Sequence, residues 1–117
     1  MKTIFSVFTG IFLLMITGCC YTEGEIAMEE NAVLLDVRTP EEHKTGYLDG
    51  AILIPLAELE SKISGSVPVK TTPIYIYCRS GRRASTAVEK LKSLGYTDLH
   101  NVGGLEDARE KFNLPIK

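Results

Sequence analysis

With 117 residues, 44% of them apolar, and a formal charge of -2, the chain has material for one domain around one core and none for a second. The charge is small and unclustered, which excludes the basic footprint that a nucleic-acid backbone requires. Three cysteines, two of them adjacent at Cys19 and Cys20 and the third at Cys78, exclude an internal disulfide framework.

Lys2 precedes an apolar run from Ile4 to Ile16 broken only by Ser6, Thr9 and Gly10, and no charge returns until Glu23. That is the layout of a signal peptide, and the run is shorter than the roughly 20 residues that a bilayer-spanning helix needs. Its end, Ile16-Thr17-Gly18-Cys19, resembles the bacterial lipobox. The resemblance implies removal of residues 1–18, lipid on Cys19 and an extracytoplasmic, membrane-anchored lipoprotein of the bacterial periplasm or cell envelope. Ordinary cleavage that leaves Cys19 or Cys20 as a free thiol, and an uncleaved anchor, are the alternatives. Acyl chains at about 0.8 kcal/mol per buried methylene would hold such a protein on its membrane. Residues 19–30 then form a lipidated N-terminus and a polar, acidic tether, and residues 31–117 the folded domain.

From Ala32 onward short apolar runs alternate with amphipathic segments, the pattern of an α/β domain. Ala32 to Val37 is almost continuously apolar, as in a strand buried on both faces. Thr39-Pro40-Glu41-Glu42 supplies a capping hydroxyl, a proline for the first helical position and a carboxylate for the third, so a short helix starts there and Gly46 ends it. Ala51 to Ile54 reads as a second strand. Leu56, Leu59 and Ile63 then recur at helical spacing up to Ser64-Gly65-Ser66. Pro73 to Cys78 is the strongest strand, filled by β-branched and aromatic residues. Ala84, Ala87, Val88, Leu91 and Leu94 form one helical stripe that Gly95 closes. Asp98 to Val102 is a further strand, and Gly103-Gly104 turns the chain into a last helix near Leu105 to Phe112, with Pro115 as its expected terminator. In a parallel sheet all strand-to-helix turns fall at one edge, so Asp36 to Arg38, Cys78 to Arg83 and Gly103-Gly104 are expected to converge where open α/β sheets bind ligands.

Cys78-Arg79-Ser80-Gly81-Arg82-Arg83-Ala84 runs from a strand end straight into a helix. Gly81 permits a tight curl that turns backbone N–H groups inward, making an anion nest backed by the positive end of the helix. A thiolate is an anion, and one helix terminus with nearby arginines can supply the roughly 2 kcal/mol that lowers a thiol from about 8.5 to about 7. Three arginines at a helix N-terminus oppose the macrodipole, and a local cost of that kind points to a local use. An inert buried thiol beside solvated arginines is the plainer account.

This loop resembles the active-site loop of the rhodanese-type sulfurtransferases, and its surroundings agree: Asp36-Val37-Arg38-Thr39-Pro40-Glu41-Glu42, Gly46 to Pro55, Leu94-Gly95-Tyr96 and Val102-Gly103-Gly104-Leu105. The similarity covers about residues 32–115 and is greatest to the small exported thiosulfate sulfurtransferases. It implies a parallel five-stranded sheet flanked by helices on both faces and a ping-pong reaction through a persulfide on Cys78. It implies further that Arg79, Ser80, Gly81, Arg82 and Arg83 surround a small anionic donor such as thiosulfate, with Arg79 and Arg82 first in line to face it, and that a thiol or cyanide accepts the sulfur. Asp36, Arg38 and Glu42 are expected to brace the loop, with Arg38 pairing Glu42. Tyr47, His43, Leu53 and Ala108 stand where the family more often has histidine, an aromatic, asparagine and tryptophan. Neither a cofactor nor a metal is called for, since His43 and His100 are isolated and read as surface or packing residues. A monomer is expected.

A cysteine phosphatase or arsenate reductase is the nearest enzymatic rival, but only four residues separate Cys78 from Arg83, where a phosphate loop has five. A thiol–disulfide oxidoreductase lacks its C-x-x-C partner. The remaining alternative is a non-catalytic or sulfur-relay module that binds another protein on the same scaffold.

Overall fold

A computed structural model describes residues 28–117. The signal peptide expected over residues 1–18, the lipid site at Cys19 and most of the tether lie outside the described residues. Among the described residues no helix is long and apolar enough to cross a membrane.

The elements follow the sequence in order: β1 (Val33–Asp36), α1 (Pro40–Thr45), β2 (Ile52–Leu53), a 3-10 turn (Leu56–Glu58) running into α2 (Leu59–Ser66), β3 (Ile74–Cys78), α3 (Arg82–Ser93), β4 (Leu99–Gly104) and α4 (Leu105–Phe112). The strands pair in parallel in the order β2-β1-β3-β4. The expected five-stranded sheet is therefore corrected to four strands among the described residues. The chain near Leu48 makes a single antiparallel bridge to Ile116 instead of joining the sheet.

Alternation along β3 divides the core. Ile74, Ile76 and Cys78 face α2 and α3, packing with Leu35, Val37, Leu59, Ile63, Ala84, Ala87 and Leu91. Tyr75 and Tyr77 face the other way, against Leu34, Leu48, Val102 and Ala108, with Leu105 and Phe112 of α4 packed on them. Both faces of the sheet are covered, which is why β1 and β3 read as unbroken apolar runs.

The start of α1 follows its sequence signal. Thr39 Oγ1 accepts from the Glu42 N–H at 3.2 Å, and Glu42 Oε1 accepts from the Thr39 N–H at 3.1 Å, a reciprocal cap. Two boundaries differ from expectation. β4 continues past Val102 to Gly104 because, beyond a register shift between Ile76 and Cys78, Gly104 pairs with Cys78. α4 stops at Asn113, which takes a left-handed conformation (φ 54°), two residues before Pro115.

Candidate active site

Register brings the expected segments to one edge: Asp36 lies opposite Tyr77, and Cys78 opposite Gly104. Helix α3 begins immediately after β3 and has Gly81 at its N-cap with no side chain to cap it. The first-turn N–H groups of such a helix need an acceptor. Cys78 Sγ takes that place. Gly81 adopts φ 96°, ψ -12° and its N–H donates to Sγ at 2.9 Å. Burial, with Cys78 only 1% exposed, works against ionisation of the thiol. The backbone N–H groups of Ala84, Ser80, Gly81 and Arg83 outweigh it, and the thiol falls below its ordinary range.

The turn is held from outside by β4. Asn101 Nδ2 donates to the Gly81 carbonyl at 3.0 Å, while Asn101 Oδ1 accepts from the Gly103 N–H at 2.9 Å. Gly104 lies so close beneath the loop that a Cβ there would overlap the carbonyl oxygen of Arg79. The Gly103-Gly104 pair thus serves close approach as well as the turn. Asp107, in the first turn of α4, accepts from the Gly104 N–H at 3.0 Å.

The three arginines are placed differently from one another. Arg79 and Arg82 are exposed, with 81% of the Arg79 side chain open to solvent and its Nη1 4.0 Å from Glu42. Arg83 is clamped by Glu42 through two parallel bonds of 2.7 and 2.9 Å. That pairing, chiefly, carries the Glu42 carboxyl down to about 2. The expected Arg38–Glu42 pair is not formed. Arg38 instead turns back on Asp36, with Nε 2.9 Å from Oδ1 and Nη2 2.7 Å from Oδ2, and its Nη2 also donates to the Gly46 carbonyl at 2.7 Å.

Asp36 is wholly buried. Besides Arg38 it accepts from His43 Nδ1 at 3.0 Å and from the Tyr77 hydroxyl at 3.2 Å. Burial opposes its charge, but the bonds from Arg38 and His43 keep the carboxyl below its usual value. Burial and the Asp36 carboxylate together push Tyr77 up to about 12. His43 stacks on Tyr47 at 4.1 Å, so two of the positions that depart from the family's usual residues contact each other. His43, Tyr77, Asn101 and Asp107 were not singled out from the sequence as site residues. The partners of Tyr77 and Asn101 lie in segments distant along the chain, whereas Asp107 stands three residues after Gly104 at the start of α4, a local signal like the i, i+4 spacing of His43 and Tyr47.

A doubly covered parallel sheet whose central strand ends in a thiol, curled under helix N–H groups, defines a rhodanese-like protein. The rhodanese-like domain family matches residues 23–111, and the chain belongs to it. Among curated relatives, thiosulfate sulfurtransferase PspE of Escherichia coli (strain K12) is 42% identical over 73 residues, covering 62% of this chain and 70% of that protein. A sulfurtransferase of Allochromatium vinosum is 34% identical over 91 residues, covering 78% and 83%. Among solved structures, a rhodanese with anions from E. coli superposes with a TM-score of 0.67 at 37% identity, covering 74% of this chain and 96% of that one.

Proposed function

We propose that this chain transfers sulfane sulfur from thiosulfate or a related donor to a thiophilic acceptor, cyanide or a thiol, through a persulfide on Cys78. The observation that carries the proposal is the seat of Sγ at the start of α3, where the Gly81 N–H donates to it at 2.9 Å and the N–H groups of Ala84, Ser80 and Arg83 also favour its ionised form. They favour the thiolate, which is the nucleophile, and remain in place for the charge of the persulfide. The thiolate attacks the outer sulfur of thiosulfate, the S–S bond breaks, and the electron pair leaves with sulfite. An acceptor then attacks the outer sulfur of the persulfide and returns the pair to Sγ, the two-step pattern of covalent catalysis. Arg79 and Arg82, exposed at the mouth, steer the anionic donor. Arg83, with its charge already met by Glu42, holds the helix start, and Ser80 and Gly81 contribute main-chain donors. The names of the relatives support sulfur transfer as the chemistry.

The test is intact-protein mass spectrometry after thiosulfate treatment. Gain of one sulfur atom, absent in Cys78→Ser, supports the scheme; no adduct on the wild-type protein overturns it. Turnover of the loaded protein by cyanide separates an enzyme from a relay module that discharges only to a protein. Lipid on Cys19 and a location outside the cytoplasm rest on the pattern of residues 1–19 and are tested by the mass of the membrane-extracted chain, which should begin at an acylated residue 19.

A further inference from the structure

Cys78 is only 1% exposed, yet its sulfur must make a bond to the outer sulfur of a donor. A cleft of about 630 Å³ at that end of the sheet is lined by Glu41, Glu42 and Thr45 of α1, by Arg79 and by Leu105. Arg79 follows Cys78 in the chain, and Leu105 follows Gly104, its register partner. The cleft therefore meets the loop at the residue next to the thiol while the thiol itself stays covered, and something has to move before chemistry begins.

We propose that α1 is a gate on the thiol, held shut by Glu42 and His43, which lifts to admit the donor and closes over the persulfide; the role of the gate rests on sulfur transfer through Cys78 as set out above. Among the described residues, α1 is the one α-helix without a buried residue. Leu59 and Ile63 root α2 in the core, Ala84, Ala87 and Leu91 root α3, and Ala108 roots α4. Lifting any of those carries buried apolar side chains into water, whereas α1 has none to lose. At six residues it is also too short to be stable apart from its contacts, so it opens as a unit at the low end of the local stabilities.

The contacts that seat it are polar. Glu42 holds Arg83 by bonds of 2.7 and 2.9 Å and stands 4.0 Å from Arg79, which ties α1 to both ends of the loop. The neighbouring His43 reaches back to Asp36 through Nδ1 at 3.0 Å. Releasing either leaves its partner satisfied. Asp36 keeps its bonds from Arg38 and Tyr77, and the Arg83 side chain is 33% exposed, so water replaces the carboxylate. Arg38 is buried, and its Nη2 donates to the Gly46 carbonyl. The segment from Thr39 to Thr45 is thus pinned at both ends by one residue and can move between them while the sheet keeps its register. Closed again, α1 shields the persulfide from water and oxidants between the two half-reactions.

The experiment follows alkylation by iodoacetamide, a neutral reagent, in the full chain, read by mass on the peptide that contains Cys78. Rates are compared at the alkaline plateau, where every variant is fully ionised. Glu42→Gln should raise the plateau rate about fivefold or more. His43→Ala should raise it about two- to tenfold; His43 faces Asp36, not the cleft, so a change of charge beside the thiol is not the cause. Glu106→Gln, which removes a carboxylate from the same cleft and leaves α1 alone, should stay within about twofold of wild type. Hydrogen exchange over Thr39 to Gly46 should quicken by a similar factor in both latch variants, with α3 unchanged. Equal alkylation of wild type and both latch variants, or faster exchange in α3 and not in α1, overturns the gate. A protein that alkylates as expected but takes no sulfur from thiosulfate overturns sulfur transfer and keeps the gate.

Discussion

Glu42→Gln isolates the electrostatic part of the clamp between α1 and the loop. Glutamine at the third position of α1 can still complete the reciprocal cap with Thr39 and its one oxygen can still accept from Arg83, so the variant loses mainly the carboxylate charge and one of the two bonds to Arg83, of 2.7 and 2.9 Å. A carboxyl carried from its ordinary 4.5 down to about 2 corresponds, at about 1.4 kcal/mol for each tenfold change in proton affinity, to at most about 3 kcal/mol. Both side chains keep some contact with water, 33% for Arg83 and 22% for Glu42. Solvent screening reduces the expected loss to about 1–2 kcal/mol. The sign follows from the depressed value. The stabilisation is complete above 4.5, where the unfolded carboxyl is already ionised, and is lost as the pH falls toward about 2. Chemical denaturation of wild type and variant at a series of pH values should show a constant gap from pH 7 to about 5 that closes in acid, with Asp36 contributing equally to both. A gap that stays constant down to the acid limit would refute the assignment of this energy to the ion pair.

Three further outcomes follow from the contacts. Asp36→Asn leaves the Arg38 guanidinium buried without its counter-charge and should destabilise the fold by about 3–5 kcal/mol in denaturant titration. Gly104→Ala drives a Cβ into the Arg79 carbonyl oxygen; backbone cannot yield as a side chain can, so the cost should lie at the upper end of about 1–3 kcal/mol, and thiol alkylation should show a displaced loop. Asn101→Ala frees the Gly81 carbonyl, loosens the turn that aims N–H groups at Sγ, and should raise the pH midpoint of Cys78 alkylation with little change in melting temperature.

The order of elements was legible because each carries a local signal: continuous apolar runs for β1 and β3, a hydroxyl and a carboxylate three residues apart for the start of α1, and a stripe of Ala84, Ala87 and Leu91 for α3. The partners of the charges were not. Pairing Arg38 with Glu42 applies helix spacing to a residue that stands before the helix, which starts only at Pro40; from a strand end the side chain folds back two residues to Asp36. Glu42 then meets Arg83, 41 positions away, a contact set by the parallel register of β1 and β3 and by no local spacing. Asn101 escaped for the same reason: its amide bonds to a turn twenty residues back, and only the pairing of β3 with β4 brings them together.

The loop breaks two rules of helix design at once, and each violation accounts for the other. A glycine N-cap leaves the N–H groups of Arg83 and Ala84, the second and third residues of α3, without the side-chain oxygen that usually accepts from them. Arginines at 82 and 83 add positive charge to the positive end of the dipole. Both would be costs in an ordinary helix. With Sγ of Cys78 seated at the helix start, the missing cap is supplied from the end of the preceding strand, and the dipole that the cap answers is what draws the thiol below its ordinary range. Helix stability and thiol acidity are therefore one interaction seen from two sides. Glu42 meets Arg83 from the other side, so the thiol at the strand end, the uncapped helix start and the carboxylate of α1 are consistent only as a unit.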